Sequence, residues 1–274
     1  MVTPPSELGE ADAAVVDTFV VPRYLNIYGE LLLELLLAGE GARIAHLGCR
    51  TGYPDVQLLE RVPGATLVGL DPSEAALELA RSKAAEVGGL DLTYLRARSS
   101  ATGLEAGSFS HVVSLHAPAR AELRAELFRE AARLLCPGGQ ALIALPLRGS
   151  FQEVFDLLRE YALKYDETEL GNALEQAAAL QPTIETLSEE LEAAAFDDVD
   201  VELRPTAVAF GSGRDFVEDP ATRLLILPEL GPALDGQTLA KPSLYLRDAI
   251  DKYWSEARFE LSLSVGCASA RKAE

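Results

Sequence analysis

The chain has 274 residues, of which 48% are hydrophobic and 24% charged, an ordinary globular composition that argues against wholesale disorder. Its 24 Lys and Arg stand against 43 Asp and Glu, and the resulting formal charge of −19 repels phosphate backbones, so no nucleic-acid partner is expected. Cys49, Cys136 and Cys267 lie far apart and form no CxxC pair, which argues against a disulfide framework or a metal site and for reduced thiols in the cytoplasm.

The amino-terminal MVTPPSELGEADAA lacks a basic region followed by an apolar one, so no signal peptide is expected. Residues 1–14 carry two prolines and little periodicity, and residues 1–22 are expected to form an N-terminal arm. From Tyr24 to Ala38 the pattern is helical, closed by Gly39 and Gly41 as a C-cap. The apolar run in this helix is interrupted by Glu34 and too short to span a bilayer, so no membrane association is expected. Short apolar runs then alternate with amphipathic stretches. Strands are expected at Ala42–Leu47, Ala65–Leu70, Leu92–Leu95, Val112–Leu115 and Ala141–Leu145. Helices are expected at Pro54–Arg61, Ser73–Val87 and Glu122–Leu135. This alternation predicts an α/β fold with a doubly wound, mostly parallel sheet.

The second half reads differently. Phe151–Tyr165, Leu170–Ala179 and Glu185–Ala195 are helical without intervening strands, so residues 151–195 are expected to form a helical insertion that caps the crevice. Val199–Leu203 and Ala207–Phe210 read as one broken strand, Ser243–Ala257 as a helix and Phe259–Val265 as a strand. With no repeat or Gly/Ser linker, residues 1–274 are expected to form a single domain whose sheet of seven strands gains antiparallel strands from its C-terminal region.

The richest segment is RIAHLGCRTGY, from Arg43 to Tyr53: a strand, a glycine-bearing turn and a helix. Open parallel sheets bind ligands at the carboxyl ends of such strands, where strand order reverses. Nineteen residues beyond Gly52, Asp71 closes the second strand, where an acid can accept hydrogen bonds from ribose hydroxyls. Asp71-Pro72-Ser73-Glu74 reads equally as a helix start. Arg50 and Tyr53 stand where a dinucleotide fingerprint needs glycine, and no Gly-Lys-Ser/Thr marks a P-loop.

Over most of its length the sequence resembles the class I S-adenosylmethionine (SAM)-dependent methyltransferases. RIAHLGCRTG is similar to that family's V-L-D-x-G-C-G-T-G motif, and ATLVGLDPSEAALELARSKA resembles its second motif, with Asp71 at the ribose position. LEAGSFSHVVSLHA and FREAARLLCPGGQALIALP resemble the segments around its fourth and fifth strands. The resemblance implies a Rossmann-like methyltransferase fold and SAM as cofactor, held by Tyr24 as an aromatic lid and by His46, Gly48, Cys49, Gly52, Asp71, Pro72, Ser99 and Ser100. His116, at the end of the fourth strand, reads as the proton acceptor for a small-molecule acceptor or as a hydrogen-bonded structural residue. Tyr245, Tyr253 and Trp254 line an acceptor pocket or pack in the core.

The sequence departs from the family's pattern at four positions. His46 stands for an acid, Arg50 for the central glycine, Arg98 for an adenine-contacting aspartate, and Ser110 for the aspartate of S-F-D. Two arginines near a sulfonium cost roughly 1–4 kcal/mol each if unscreened at about 4 Å. The alternative expectation is therefore an inactive methyltransferase-like fold that has lost SAM and serves as a protein-binding or regulatory module.

Overall fold

The computed structural model describes residues 8–230 and 240–274, and residues 1–7 of the expected arm lie outside them. In chain order the elements are α1 (Glu10–Val15), a π-helical stretch (Val16–Leu25), α2 (Asn26–Leu35), β1 (Arg43–Leu47), α3 (Asp55–Arg61), β2 (Thr66–Asp71), α4 (Glu74–Val87), β3 (Leu92–Arg96), β4 (Phe109–Leu115), α5 (Ala121–Leu134) and β5 (Leu135–Pro146). They continue with α6 (Gln152–Lys164), α7 (Thr168–Leu180), α8 (Ile184–Ala193), β6 (Phe196–Phe210), α9 (Gly213–Glu218), a second π-helical stretch (Thr222–Ile226), α10 (Leu227–Glu229), α11 (Ala240–Tyr253) and β7 (Phe259–Lys272). The chain divides into two compact units. Among the described residues, one comprises residues 8–145 with Thr183–Leu203 and Gly266–Glu274, and the other comprises Pro146–Pro182 and Arg204–Val265.

The sheet has seven strands in the order β3-β2-β1-β4-β5-β7-β6. β1 pairs in parallel with β2 and β4, β2 with β3, and β4 with β5. The chain therefore winds one way from β1 to β3 and the other way from β4 to β5, and the reversal falls between β1 and β4. In β1 and β4 almost every side chain is buried, as strands covered on both faces require. Between β5 and β7, Gln140 Nε2 donates to Ser269 Oγ at 2.9 Å while Arg271 Nη1 donates to the carbonyl of Gly138 at 3.1 Å. The pairs run in opposite directions along the chain, so β7 is antiparallel to β5. This is the doubly wound, mostly parallel sheet with antiparallel C-terminal strands that the sequence predicts.

Several boundaries differ from expectation, each for a physical reason. Residues 10–25 are helical, so the segment expected as an arm is ordered from Glu10 onward. Ala13, Val16, Val20 and Tyr24 recur at helical spacing and are all buried, and Lys83 of α4 pairs with Asp17. Pro22 lies inside the π-helical stretch instead of ending the helix. α2 stops at Leu35, ahead of the glycines, because the fully buried Gln140 takes over its end: Nε2 donates to the Leu35 carbonyl and Oε1 accepts from Leu37 N, both at 3.0 Å. β6 is one continuous strand through Arg204-Pro205-Thr206, since an edge strand needs no donor at proline. β7 runs on to Lys272 through Gly266-Cys-Ala-Ser-Ala, which is buried on both faces and shows no alternation.

In the same unit as the parallel sheet, α5 and α8 are joined by a buried ion pair. Arg124, 1% exposed, donates from Nε and Nη2 to the two carboxylate oxygens of Glu190, each at 2.7 Å. Its Nη1 donates to the carbonyls of Pro118 and Ala119, which fixes the loop after β4. In the other unit, Phe210, Phe216, Trp254 and Phe259 form an aromatic cluster, and Glu160 accepts from the hydroxyls of Tyr245 and Tyr253 at 2.7 and 2.6 Å.

Removing one partner of a buried pair leaves the other charge without compensation. Glu190→Ala is expected to lower stability by about 3 kcal/mol, toward the low end of that range because the Glu190 side chain is 19% exposed. The double change Arg124→Met/Glu190→Met is expected to recover most of the loss. Urea denaturation of the three proteins checks both.

Candidate functional site

The turn after β1 is built around a single carboxylate. Gly48 and Cys49 both donate their N–H to the Leu70 carbonyl, at 2.8 and 3.0 Å, which draws the turn toward the end of β2. There Asp71 Oδ2 accepts from Arg50 N at 3.0 Å and Oδ1 accepts from Ser73 N at 2.9 Å. Ser73 in turn caps α4, its Oγ accepting from Ala76 N. Burial raises the Asp71 carboxyl above its usual value, and the Ser73 N–H, the Arg50 charge and the Arg50 N–H oppose that rise. Gly48 has φ +75°, and the turn holds Arg50 at φ +49°, a left-handed conformation that non-glycine residues rarely adopt.

From that strained position the Arg50 side chain reaches across to β4. Nη1 donates to the Leu115 carbonyl at 2.8 Å and Nη2 to the His116 carbonyl at 3.4 Å. His116 is itself at φ +56°. Its ring packs between Tyr24 and Tyr28 with centroids 5.4 and 5.3 Å away, and the Nε2–Tyr24 Oη hydrogen bond is 3.0 Å. Tyr24 Oη is also 3.2 Å from Tyr28 Oη. Burial, helped by the Arg50 charge, pushes the imidazole down to about 3, so His116 is neutral near pH 7.

A cavity of about 200 Å³ lies at the carboxyl ends of β1 and β4, lined by Gly48, Arg50, Ser99, Ser100, His116 and Glu126 among others. Of the site residues expected from sequence, the structure thus brings Gly48, Ser99, Ser100 and His116 together. The others lie off this lining. Tyr24 is fully buried behind His116. Cys49 packs with Leu77, Ala80 and Tyr94. Gly52 has φ +82° and lies so close to the Tyr94 hydroxyl that a Cβ would collide with it. Asp71 is occupied as described, and Pro72 accepts from Arg96 Nε through its carbonyl.

His46 has found its own acid. Its Nδ1 lies 2.6 Å from Asp55 Oδ1, and Asp55 Oδ2 accepts from Tyr94 Oη at 2.9 Å. The first residue of α3 thus pairs with the histidine that stands where the family motif carries an acid, and both lie off the cavity lining. Sequence reasoning missed Asp55, whose signal was a carboxylate nine residues after a histidine at the same sheet edge. It also missed Arg124 and Glu126 on α5. Arg98 is exposed and off the cavity lining.

Comparison with known proteins bears on this arrangement. A family model described as a methyltransferase domain matches residues 44–139, the span from β1 into β5. A demethylmenaquinone methyltransferase of Thermus thermophilus is 30% identical over 136 residues, which are 48% of this chain and 61% of that protein. The crystal structure of the YcgJ protein from Bacillus subtilis superposes with a TM-score of 0.61 at 13% identity, covering 91% of this chain and 99% of that one. The Haemonchus contortus phosphoethanolamine N-methyltransferase 2, solved in complex with S-adenosyl-L-methionine, superposes with a TM-score of 0.59 at 17% identity over 97% of this chain and 58% of that chain. The chain thus spans about three fifths of the length of the first and third of these.

The His116 shift has a pH consequence with a definite sign. A histidine held neutral in the fold, below its unfolded pKa near 6.5, binds fewer protons than the unfolded chain between the two values. Stability is therefore fully present above about 6.5 and is lost as the pH falls toward about 3, by up to roughly 1.4 kcal/mol per pH unit. His116→Phe is expected to flatten the acid limb of a stability–pH curve relative to the parent. An unchanged limb would overturn the assignment.

Proposed function

We propose that this chain, which has the methyltransferase-type Rossmann-like α/β fold, transfers a methyl group from SAM to a small-molecule acceptor. The observation that carries this reading is the placement of the cavity. It lies at the carboxyl ends of β1 and β4, where the strand order of the sheet reverses and where open α/β sheets take their ligands. A small acceptor fits the charge of −19, which disfavours nucleic acid, and fits the similarity to enzymes named for demethylmenaquinone and phosphoethanolamine.

The residues present accommodate an adenosyl ligand in part. Gly48 faces Ser99 across the cavity, and a Cβ on Gly48 would sit 3.4 Å from Ser99 Oγ, so the missing side chain keeps that space open. The Gly48 backbone would hold the methionine portion and Ser99 and Ser100 the adenine edge. Bound SAM would supply an electrophilic methyl group. The chain's own residues position and exclude water, which accounts for most of the acceleration in such displacements. His116 stays in the neutral form that a proton acceptor needs, at the expense of basicity. Its hydrogen bond to Tyr24 fixes the imidazole against the cavity wall.

A second reading, a methyltransferase-like module without SAM and with a protein partner, is favoured by one observation. Arg50 spans the crevice, and the remaining 200 Å³ falls below the roughly 300–1,000 Å³ of ordinary ligand pockets. On the first reading the side chain moves aside when ligand enters, and on the second it is the permanent filling.

Calorimetric titration of the chain with SAM, checked by thermal shift, separates the two. Micromolar binding is expected, and ligand at about 100 times its dissociation constant should stabilise the fold by roughly 2.7 kcal/mol. Tyr24→Phe should then lower turnover in an acceptor screen more than it weakens SAM binding. No heat and no shift at millimolar SAM or S-adenosylhomocysteine would leave the module reading in place.

A further inference from the structure

The amino-terminal ends of β1 and β4, opposite the cavity, hold a second pair of chemistry-bearing side chains. His111 Nε2 lies 2.8 Å from the Leu37 carbonyl, and a carbonyl only accepts, so Nε2 carries the ring proton. In the neutral imidazole Nδ1 is then a bare acceptor, and Ser110 Oγ lies 2.8 Å from it. The hydroxyl therefore donates to Nδ1, in preference to the Arg43 carbonyl at 3.2 Å. Burial, against the pull of the Leu37 carbonyl and with a further push from the Arg271 charge, holds the imidazole below its ordinary value. His111 is thus the free base near pH 7.

Two features set this serine apart from an ordinary strand residue. Its Oγ accepts the Arg43 N–H at 2.9 Å, a donor that steadies charge developing on that oxygen. Ser110 also falls in an irregularity of the ladder. β4 pairs with β5 at Phe109–Leu135 and at His111–Gln140, so one residue of β4 faces four of β5. Such bulges re-aim a side chain. Ser110 is half-buried, whereas His111 is 5% exposed. The orienting carbonyl is itself fixed, because Gln140 Oε1 accepts from Leu37 N at 3.0 Å.

We propose that Ser110 and His111 form a nucleophile–base pair, oriented by the Leu37 carbonyl, that takes an acyl group from a small activated ester. A nucleophile, a base and an orienting group, each within hydrogen-bond reach of the next, are the arrangement such chemistry needs. Ser110 Oγ attacks the ester carbon as its proton moves to His111 Nδ1, while Nε2–H stays on the Leu37 carbonyl. The bond from that carbon to the leaving oxygen then breaks, and the leaving group departs with the proton from Nδ1. Water next attacks the acyl-serine and gives a proton to Nδ1; Oγ leaves the carbon and recovers that proton, releasing the carboxylic acid. Six residues of extended chain place the pair roughly 20 Å from His116. Its chemistry is therefore independent of any ligand in the cavity.

The test is incubation of the full chain with p-nitrophenyl acetate and, separately, with diisopropyl fluorophosphate, whose phosphorus–fluorine bond breaks to leave a stable phosphoryl-serine. Released p-nitrophenolate is followed by absorbance, modified peptides are mapped by mass spectrometry, and circular dichroism confirms folding. The expected result is a phosphoryl group on Ser110 and release of p-nitrophenolate. The labelling rate should rise with pH, with its midpoint below the ordinary histidine value of about 6.5, and then level off. Ser110→Ala should lose the label, and His111→Gln should slow labelling at least about a hundredfold. Ser108→Ala, two residues away, should label like the parent. Absence of label on Ser110 in the folded parent would overturn the proposal, as would acetyl transfer to His111 alone. A parent rate that keeps climbing about tenfold per pH unit beyond about pH 8 would do the same, since hydroxide would then be acting in place of the imidazole. An unchanged rate in folded His111→Gln would also overturn it, and should that variant fail to fold, the peptide map and pH profile of the parent decide.

Discussion

One carboxylate organises the ligand edge of the sheet. Asp71 ends β2 and divides its two oxygens between the backbone of the turn after β1 and the start of α4. Those bonds fix the conformation of Arg50, and that conformation decides where the guanidinium goes. Because the backbone N–H of Arg50 is pinned to Asp71 at φ +49°, the side chain is directed over the edge of β1 toward β4, where two carbonyls receive it. The same acid that starts α4 thus also orders the residue that lines the cavity.

The end of β4 is held from two sides. Arg50 binds the carbonyls of Leu115 and His116, and Tyr24 engages the His116 imidazole from the N-terminal helical segment. A left-handed residue such as His116 persists only where its surroundings over-determine it, and here they do. The low basicity of the imidazole follows from the same enclosure. Burial alone disfavours a charged ring, and a fixed guanidinium nearby adds repulsion. Geometry that rigidifies the strand end therefore also sets its protonation state.

The parallel half of the fold was legible because its signals are local. Apolar runs such as Ala42–Leu47 and Val112–Leu115 and the Ser73 helix start are readable within a few residues. What escaped depends on partners distant in sequence. The end of α2 is set by Gln140, over a hundred residues away, and the continuity of β6 through Pro205 depends on its being at the sheet edge. The order of residues 10–25 was hidden by Pro22, whose accommodation in a π-helical stretch leaves no mark in the residue pattern. For the site, Gly48, Ser99, Ser100 and His116 could be placed from motif order and strand ends. The occupation of His46 by Asp55, and the direction taken by Arg50, are matters of side-chain geometry that spacing does not encode.

The departures from the family pattern do not act in the same way once placed in three dimensions. His46 is bonded to the buried Asp55, Tyr94 completes the chain of hydrogen bonds, and all three lie off the cavity lining. Ser110 gives its hydroxyl to the β1 edge, bonding Arg43 and His111. Arg98 is at the surface. Only Arg50 faces the cavity. Four substitutions that look equally disruptive in sequence therefore reduce to one that lines the cavity. Two hydrogen bonds to β4 carbonyls hold that single side chain against the cavity, so its place is set by the backbone at the strand end and not by the motif it interrupts.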